Sequence, residues 1–111
     1  MNFKEINEFS REFKKLLKKY KTLKQDLDNF KKSVLAVDFL KNKNFAVLYS
    51  DERMKIIKAR FFCRYLRGKT LRIIYSLCEE KEEIEFVEIY FKGNKANEDR
   101  ERIKQYIESN R

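Results

Sequence analysis

Residues 54–75 read MKIIKARFFCRYLRGKTLRIIY, and their alternation decides how the chain is read. Side chains on a β-strand point to opposite faces with period two. Lys58, Arg60 and Arg64 therefore share one parity, and Ile57, Ala59, Phe61 and Cys63 share the other. Leu66-Arg67-Gly68-Lys69 forms the turn into a second strand, Thr70–Leu77. There Leu71, Ile73, Tyr75 and Leu77 alternate with Thr70, Arg72, Ile74 and Ser76. One apolar face and one row of cations describe a half-buried hairpin whose open side suits an anionic partner.

Working outward, the acidic stretch Glu79–Glu83 connects to a third strand, Ile84–Phe91, with Glu88, Tyr90 and Lys92 on one parity and Val87, Ile89 and Phe91 on the other. Asn97 is expected to cap a last helix that carries Glu98, Asp99 and Glu101 in its first turns and docks through Ile103, Tyr106 and Ile107. Before the hairpin, Phe45–Tyr49 fits a short strand and Lys41–Asn44 a loop. Asn2–Ile6 fits a first strand. Phe9, Phe13, Leu16, Leu17 and Tyr20 recur at helical spacing, with Lys14, Lys15, Lys18 and Lys19 on the other side. Thr22 and Gln25 match a capping box that opens a second helix with Leu23, Leu27, Phe30 and Val34 inward. The short break at Lys21–Thr22 makes the two helices an antiparallel hairpin. The expected fold class is α+β: an N-terminal α-hairpin packed on one side of a small antiparallel sheet, then a C-terminal helix.

Composition sets limits. The chain has 111 residues, 41% charged and 42% hydrophobic, with ten Phe and six Tyr. That is enough apolar mass for one core and places residues 1–111 in a single domain. Residues 1–44 and 45–78 each carry a net +6 and residues 79–111 a net −3, giving +9. The field favours nucleic acid or an acidic protein partner, or else belongs to a solvated lysine-rich surface. Two cysteines without histidine make neither a disulfide framework nor an ordinary zinc site, so two reduced thiols in a cytoplasmic protein are expected. No apolar run approaches the roughly 20 residues of a membrane span, and the first residues lack a signal-like apolar core. No metal, cofactor or membrane is called for.

The segments KARFFCRYLRGKTLRIIY (58–75) and FVEIYFKGNKANEDRERI (86–103), with FSREFKKLLKKYKTLKQDL (9–27) ahead of them, resemble the RelE/ParE superfamily of bacterial toxins. The resemblance covers nearly the whole chain. The K-x-R strand followed by R-I-I-Y is its more specific part. RelE-like members are ribonucleases that cut messenger RNA in the ribosomal A site, ParE-like members poison DNA gyrase, and both are neutralised by a cognate antitoxin. The resemblance implies that Lys58 and Arg60 bind phosphate and that Arg72 braces the transition state. It also points to Glu88 as a general base, and to Lys92 and Lys95, which flank Gly93, as basic residues of the site.

Metal-free cleavage of RNA needs the 2′-hydroxyl to attack the adjacent phosphate. The phosphorane must be neutralised, the 2′ proton accepted and the 5′ oxygen protonated. Arg64 joins the strand cations as an RNA contact. Tyr90 can stack a base, and Lys14 and Lys18 can hold ribosomal RNA through phosphates. The other readings are edge-protecting solvated cations, a cross-strand ion pair for Glu88 and a half-buried strand tyrosine. With no histidine, the leaving-group acid falls to Lys92, Lys95 or Tyr90. The leading expectation is a ribosome-dependent mRNA endonuclease, the toxin of a type II pair with an acidic antitoxin. The alternatives are a gyrase inhibitor and an inactive family member.

Overall fold

The computed structural model describes residues 1–36 and 41–110. Its elements run β1 (Asn2–Glu5), α1 (Asn7–Lys19), α2 (Leu23–Ala36), β2 (Phe45–Ser50), β3 (Lys55–Phe62), a 3-10 turn (Arg64–Leu66), β4 (Thr70–Cys78), β5 (Glu83–Phe91) and α3 (Arg100–Ser109). The class is α+β, with five strands in the order β1-β5-β4-β3-β2. The sheet is mixed: β2, β3, β4 and β5 are antiparallel neighbours, but β1 lies parallel to β5, with Asn2 opposite Glu83 and Glu5 opposite Phe86. Alternation within a strand carries no information about strand direction, which is why a purely antiparallel sheet was expected.

The expected apolar stripes of both helices enter one core. Phe9, Leu23, Leu27 and Phe30 are buried there against Ile57, Ala59, Phe61, Leu71, Ile73 and Tyr75, with Phe13, Leu16, Leu17 and Val34 at its margin. Aromatic rings join the layers: Phe9 and Phe86 stack with centroids 5.3 Å apart, and Phe30 meets Phe61 at 5.5 Å.

The third helix does not join that side. Ile103 and Ile107 of α3 pack with Met54, Ile56, Ile74 and Val87 in a second core on the opposite face. So the sheet is covered on both faces, not by helices segregated to one. Val87 reaches this face through a β-bulge. Tyr75 pairs with Phe86 and Ile74 with Glu88, leaving Val87 as the extra residue. Strict alternation had placed Val87 with Ile89 and Phe91.

Two helix starts differ from expectation. The Thr22 hydroxyl donates to Asp26 Oδ2 at 2.7 Å and accepts the Tyr65 N–H at 3.2 Å, so it makes no capping box with Gln25. Asp99, not Asn97, caps α3 by accepting the Arg102 N–H at 3.0 Å. At Thr22 the Tyr65 N–H takes the hydroxyl's acceptor role, while at α3 the Asp99 carboxylate is a stronger acceptor than an amide oxygen.

On the α3 face, Ser76 Oγ lies 2.7 Å from the Tyr106 hydroxyl, which donates to Glu85 Oε1 at 2.6 Å. On the other face, the Tyr75 hydroxyl is buried without a hydrogen-bond partner. Burial raises the pKa of both phenols, and the bond to Glu85 raises that of Tyr106 further. A phenol whose folded pKa exceeds its unfolded value of about 10 contributes stability that is complete below that pH and is lost as pH rises through the folded value. The thermal midpoint should therefore fall as pH rises above about 10. Tyr106→Phe, which removes one of these ionisations, should make the fall shallower. Equal slopes for the two proteins in a pH series of melting curves would contradict this origin.

Candidate phosphate-binding face

The ladder register defines the α3 face row by row. Phe62 lies opposite Thr70. Arg60 lies opposite Arg72, which lies opposite Tyr90. Lys58 lies opposite Ile74, which lies opposite Glu88. Ile56 lies opposite Ser76, which lies opposite Glu85. The residues packed by α3 belong to the last two of these rows. The first two rows stay open on β3 and β4, where Arg60 and Phe62 are exposed and Thr70 and Arg72 half-buried, while Tyr90 on β5 is buried. Lys58, Arg60 and Arg72 thus share a face, as their strand parities require.

Arg60 and Arg72 stand directly opposite each other. Like charges in that relation destabilise a sheet by roughly 0.2–1 kcal/mol. Arg72 Nη1 donates to Thr70 Oγ1 at 2.6 Å and to the Leu71 carbonyl at 3.3 Å, which sets the plane of its guanidinium. Among the described residues no carboxylate pairs with either arginine. Beside them Tyr90 is 94% buried, and its hydroxyl has no hydrogen-bond partner.

Lys58 differs from the two arginines in having a partner. Its ammonium lies 3.1 Å from Glu98 Oε1, and Glu98 comes from the segment that leads into α3. Burial pulls the Lys58 pKa down, but the bond to Glu98 and the charges of Tyr90 and Glu98 outweigh it, so the net shift is upward. The Tyr90 phenol is raised by burial, against the opposing pull of Lys58. Each group shifts the other, yet no formed hydrogen bond reaches the phenol oxygen. Both groups hold their protons at neutral pH, but only the half-buried Lys58 ammonium is open to a phosphate oxygen; the Tyr90 hydroxyl is closed off from the surface. Glu98 is a member of this site that strand alternation could not reveal, because it lies outside every strand.

Glu88 is not available as a base. Its side chain is fully buried; one oxygen is paired with the Lys95 ammonium, and the other accepts the Asp99 N–H at 2.8 Å. Lys95 also lies 5.4 Å from the centroid of the Tyr90 ring. The Glu88–Lys95 pair therefore fixes the loop before α3 and seats the phenol. Lys92 falls just past the end of β5 in an exposed turn, outside the rows of the face.

Arg64 leaves the face altogether. The strand ends at Phe62, and the following 3-10 turn carries Arg64 to the α2 side. There its Nε lies 3.2 Å from Asp26 Oδ1, and its Nη2 donates to Gln25 Oε1. The buried carboxylate of Asp26 claims the cation. Lys14 and Lys18 are exposed on α1, whose apolar side packs on the sheet face that α1 and α2 cover, so they stand across the sheet from Arg60 and Arg72.

No model of a known protein family matches the chain, and no curated protein or solved structure matches it either.

Removing one member of an enclosed ion pair strands the other. Lys95→Met should cost about 2 kcal/mol, below the usual ~3–5 because the Lys95 side chain is partly in water. Adding Glu88→Leu to it should restore part of that loss. Urea unfolding reads both, and a Lys95→Met protein as stable as the parent would show that the pair does not anchor the loop.

Proposed function

We propose that the chain is a RelE-like toxin that binds messenger RNA on the ribosome and cleaves it without a metal ion. The observation that carries this reading is the Arg60–Arg72 pair, two opposed guanidiniums without carboxylate partners, beside the unpartnered phenol of Tyr90. An RNA phosphodiester fits the pair, since guanidiniums bind phosphate oxygens through paired donors. Attack of the 2′-oxygen on phosphorus breaks the bond to the 5′-oxygen and leaves a 2′,3′-cyclic phosphate and a 5′-hydroxyl. Arg60 and Arg72 stabilise the negative charge that grows on the phosphorane. Lys58, half-buried on the neighbouring row, can protonate the departing 5′-oxygen.

Among the described residues the 2′ proton finds no free carboxylate on this face, and it passes to solvent water. Glu88 is enclosed, and Glu98 is occupied by Lys58. This supports a reaction that depends on the ribosome, where orienting the RNA for in-line attack supplies a large part of the acceleration. The enclosed Glu88 also favours a second reading, in which the face binds nucleic acid without cutting it. The gyrase inhibitor belongs to that class. The antitoxin expected for either reading is an acidic, partly disordered segment that folds over the strand cations.

The test is induction in a bacterium with mapping of messenger-RNA 5′ ends. New ends within translated frames are expected from the parent. Arg72→Ala should lower their yield on the order of 10²–10³-fold, the usual effect of removing one transition-state donor. The fold should survive, since that change relieves a like-charge contact. Arrested growth with intact transcripts would instead favour the binding reading. Glu98→Gln tests the Lys58 contact separately. It should strengthen binding of single-stranded RNA by up to about fivefold, because the phosphate no longer competes with a carboxylate; weaker binding would mean that Glu98 positions Lys58.

A further inference from the structure

The open half of the α3 face holds one feature that phosphate binding does not use. Phe62 is 62% exposed. An isolated exposed aromatic is ordinary on a protein surface, but this one has specific neighbours. It lies two residues from Arg60 on the same strand face, opposite Thr70 and diagonal to Arg72. Along a strand, two residues span roughly 6.5–7 Å, about one nucleotide of an extended single strand. At the sheet edge the ring also borders a cavity of about 240 Å3 that opens toward α2, lined by Arg60, Phe45, Asn42 and Asn44 and by Asp26, Asn29, Phe30 and Ser33 of that helix. Side-chain amides both donate and accept hydrogen bonds, as nucleobase edges require. Arg60 therefore neighbours both Arg72 across the ladder and an uncovered aromatic surface along its own strand.

We propose that Phe62 is a base-stacking platform that holds the nucleobase next to the phosphate gripped by Arg60 and Arg72. The ligand is a single-stranded RNA segment whose bases are unpaired. A duplex keeps its base faces stacked and would offer this ring nothing. Every base has a π-face, so the platform adds affinity across sequences, and any base preference would come from the amides of the adjoining cavity. This inference rests on the phosphate-binding reading of Arg60 and Arg72 and adds the part of the ligand that the cations cannot distinguish.

The chain contains no tryptophan, so Phe62→Trp introduces a unique reporter at the platform. Its fluorescence should be quenched by a short single-stranded RNA and not by inorganic polyphosphate of equal charge. In anisotropy measurements at low salt, Phe62→Ala should bind the RNA roughly 5- to 150-fold more weakly, the range for loss of one base–aromatic stack. Its polyphosphate affinity should match the parent's. The dependence of log affinity on log salt should keep its slope, because no phosphate contact is lost. Arg60→Ala/Arg72→Ala should lower that slope and weaken both ligands. If the parent binds RNA through the arginines while Phe62→Ala is unimpaired, or Phe62→Trp is quenched equally by polyphosphate, the platform is refuted and the phosphate site stands. If the arginine double variant binds both ligands as the parent does, the underlying reading is refuted as well.

Discussion

The arrangement of this molecule depends on how residues 87–89 of β5 are satisfied. The partner strand β1 ends at Glu5, opposite Phe86, while β5 continues to Phe91. Backbone groups beyond that point need partners from elsewhere. Arg102 of α3 donates to the Val87 carbonyl at 3.0 Å, and Glu12 of α1 accepts the Ile89 N–H at 3.3 Å. The two side chains then bind each other through parallel bonds of 2.8 and 2.9 Å. The bond to Glu12 raises the Arg102 pKa against the opposing effect of burial. A fork-to-fork pair in a partly shielded site is stronger than a surface ion pair. Here it clasps the helices of both faces around an otherwise bare strand edge.

The bulge at Val87 acts on the same three residues. Because Val87 is extra to the ladder, it and Glu88 both serve the α3 face. Val87 offers apolar surface for Ile103 and Ile107, while Glu88 binds the backbone of Asp99, the residue that caps α3. Helix position, helix cap and loop anchor thus follow from one irregular residue. With α3 fixed over the Ile56 and Ile74 rows, the Arg60 and Phe62 rows are left uncovered. The nearest acids are already engaged, Glu88 by Lys95 and Glu98 by Lys58. What remains on the open half is two guanidiniums above a buried phenol, and the guanidiniums concentrate positive potential there.

Much of this was legible in the alternation and helical spacing of the chain. The core face of β3 and β4, the apolar stripes of α1 and α2, and the common face of Lys58, Arg60 and Arg72 follow from periodicity alone. What periodicity misses is set by contacts far apart in sequence. Arg64 has strand parity but turns away because Asp26, 38 positions earlier, draws it to α2. Thr22 is drawn from its capping role by Asp26 and by the Tyr65 N–H. Val87 changes face because a bulge resets the period, and no composition signal marks it. Glu98 reaches Lys58 across 40 positions, from a segment with no regular structure. The parallel β1 was invisible for the same reason: pairing direction is a property of the assembled sheet.

The distribution of cations carries a last consequence. Lys14 and Lys18 stand on the outer side of the α1–α2 layer, whereas Arg60 and Arg72 stand on the α3 face. The sheet and a helical layer separate them, and a helix alone adds roughly 10 Å of thickness. A short oligonucleotide lying on one face cannot reach both groups. It meets the open half of the α3 face, where the arginines lack partners. One anion engages the α1 lysines and the strand arginines together only if it is large enough to surround the domain. Under the proposed reading the two groups therefore divide the work. The helix lysines contribute delocalised, salt-sensitive attraction to a ribosome-sized polyanion. The strand arginines, with the plane of Arg72 fixed and a buried phenol beneath them, contribute the geometry that one phosphodiester requires.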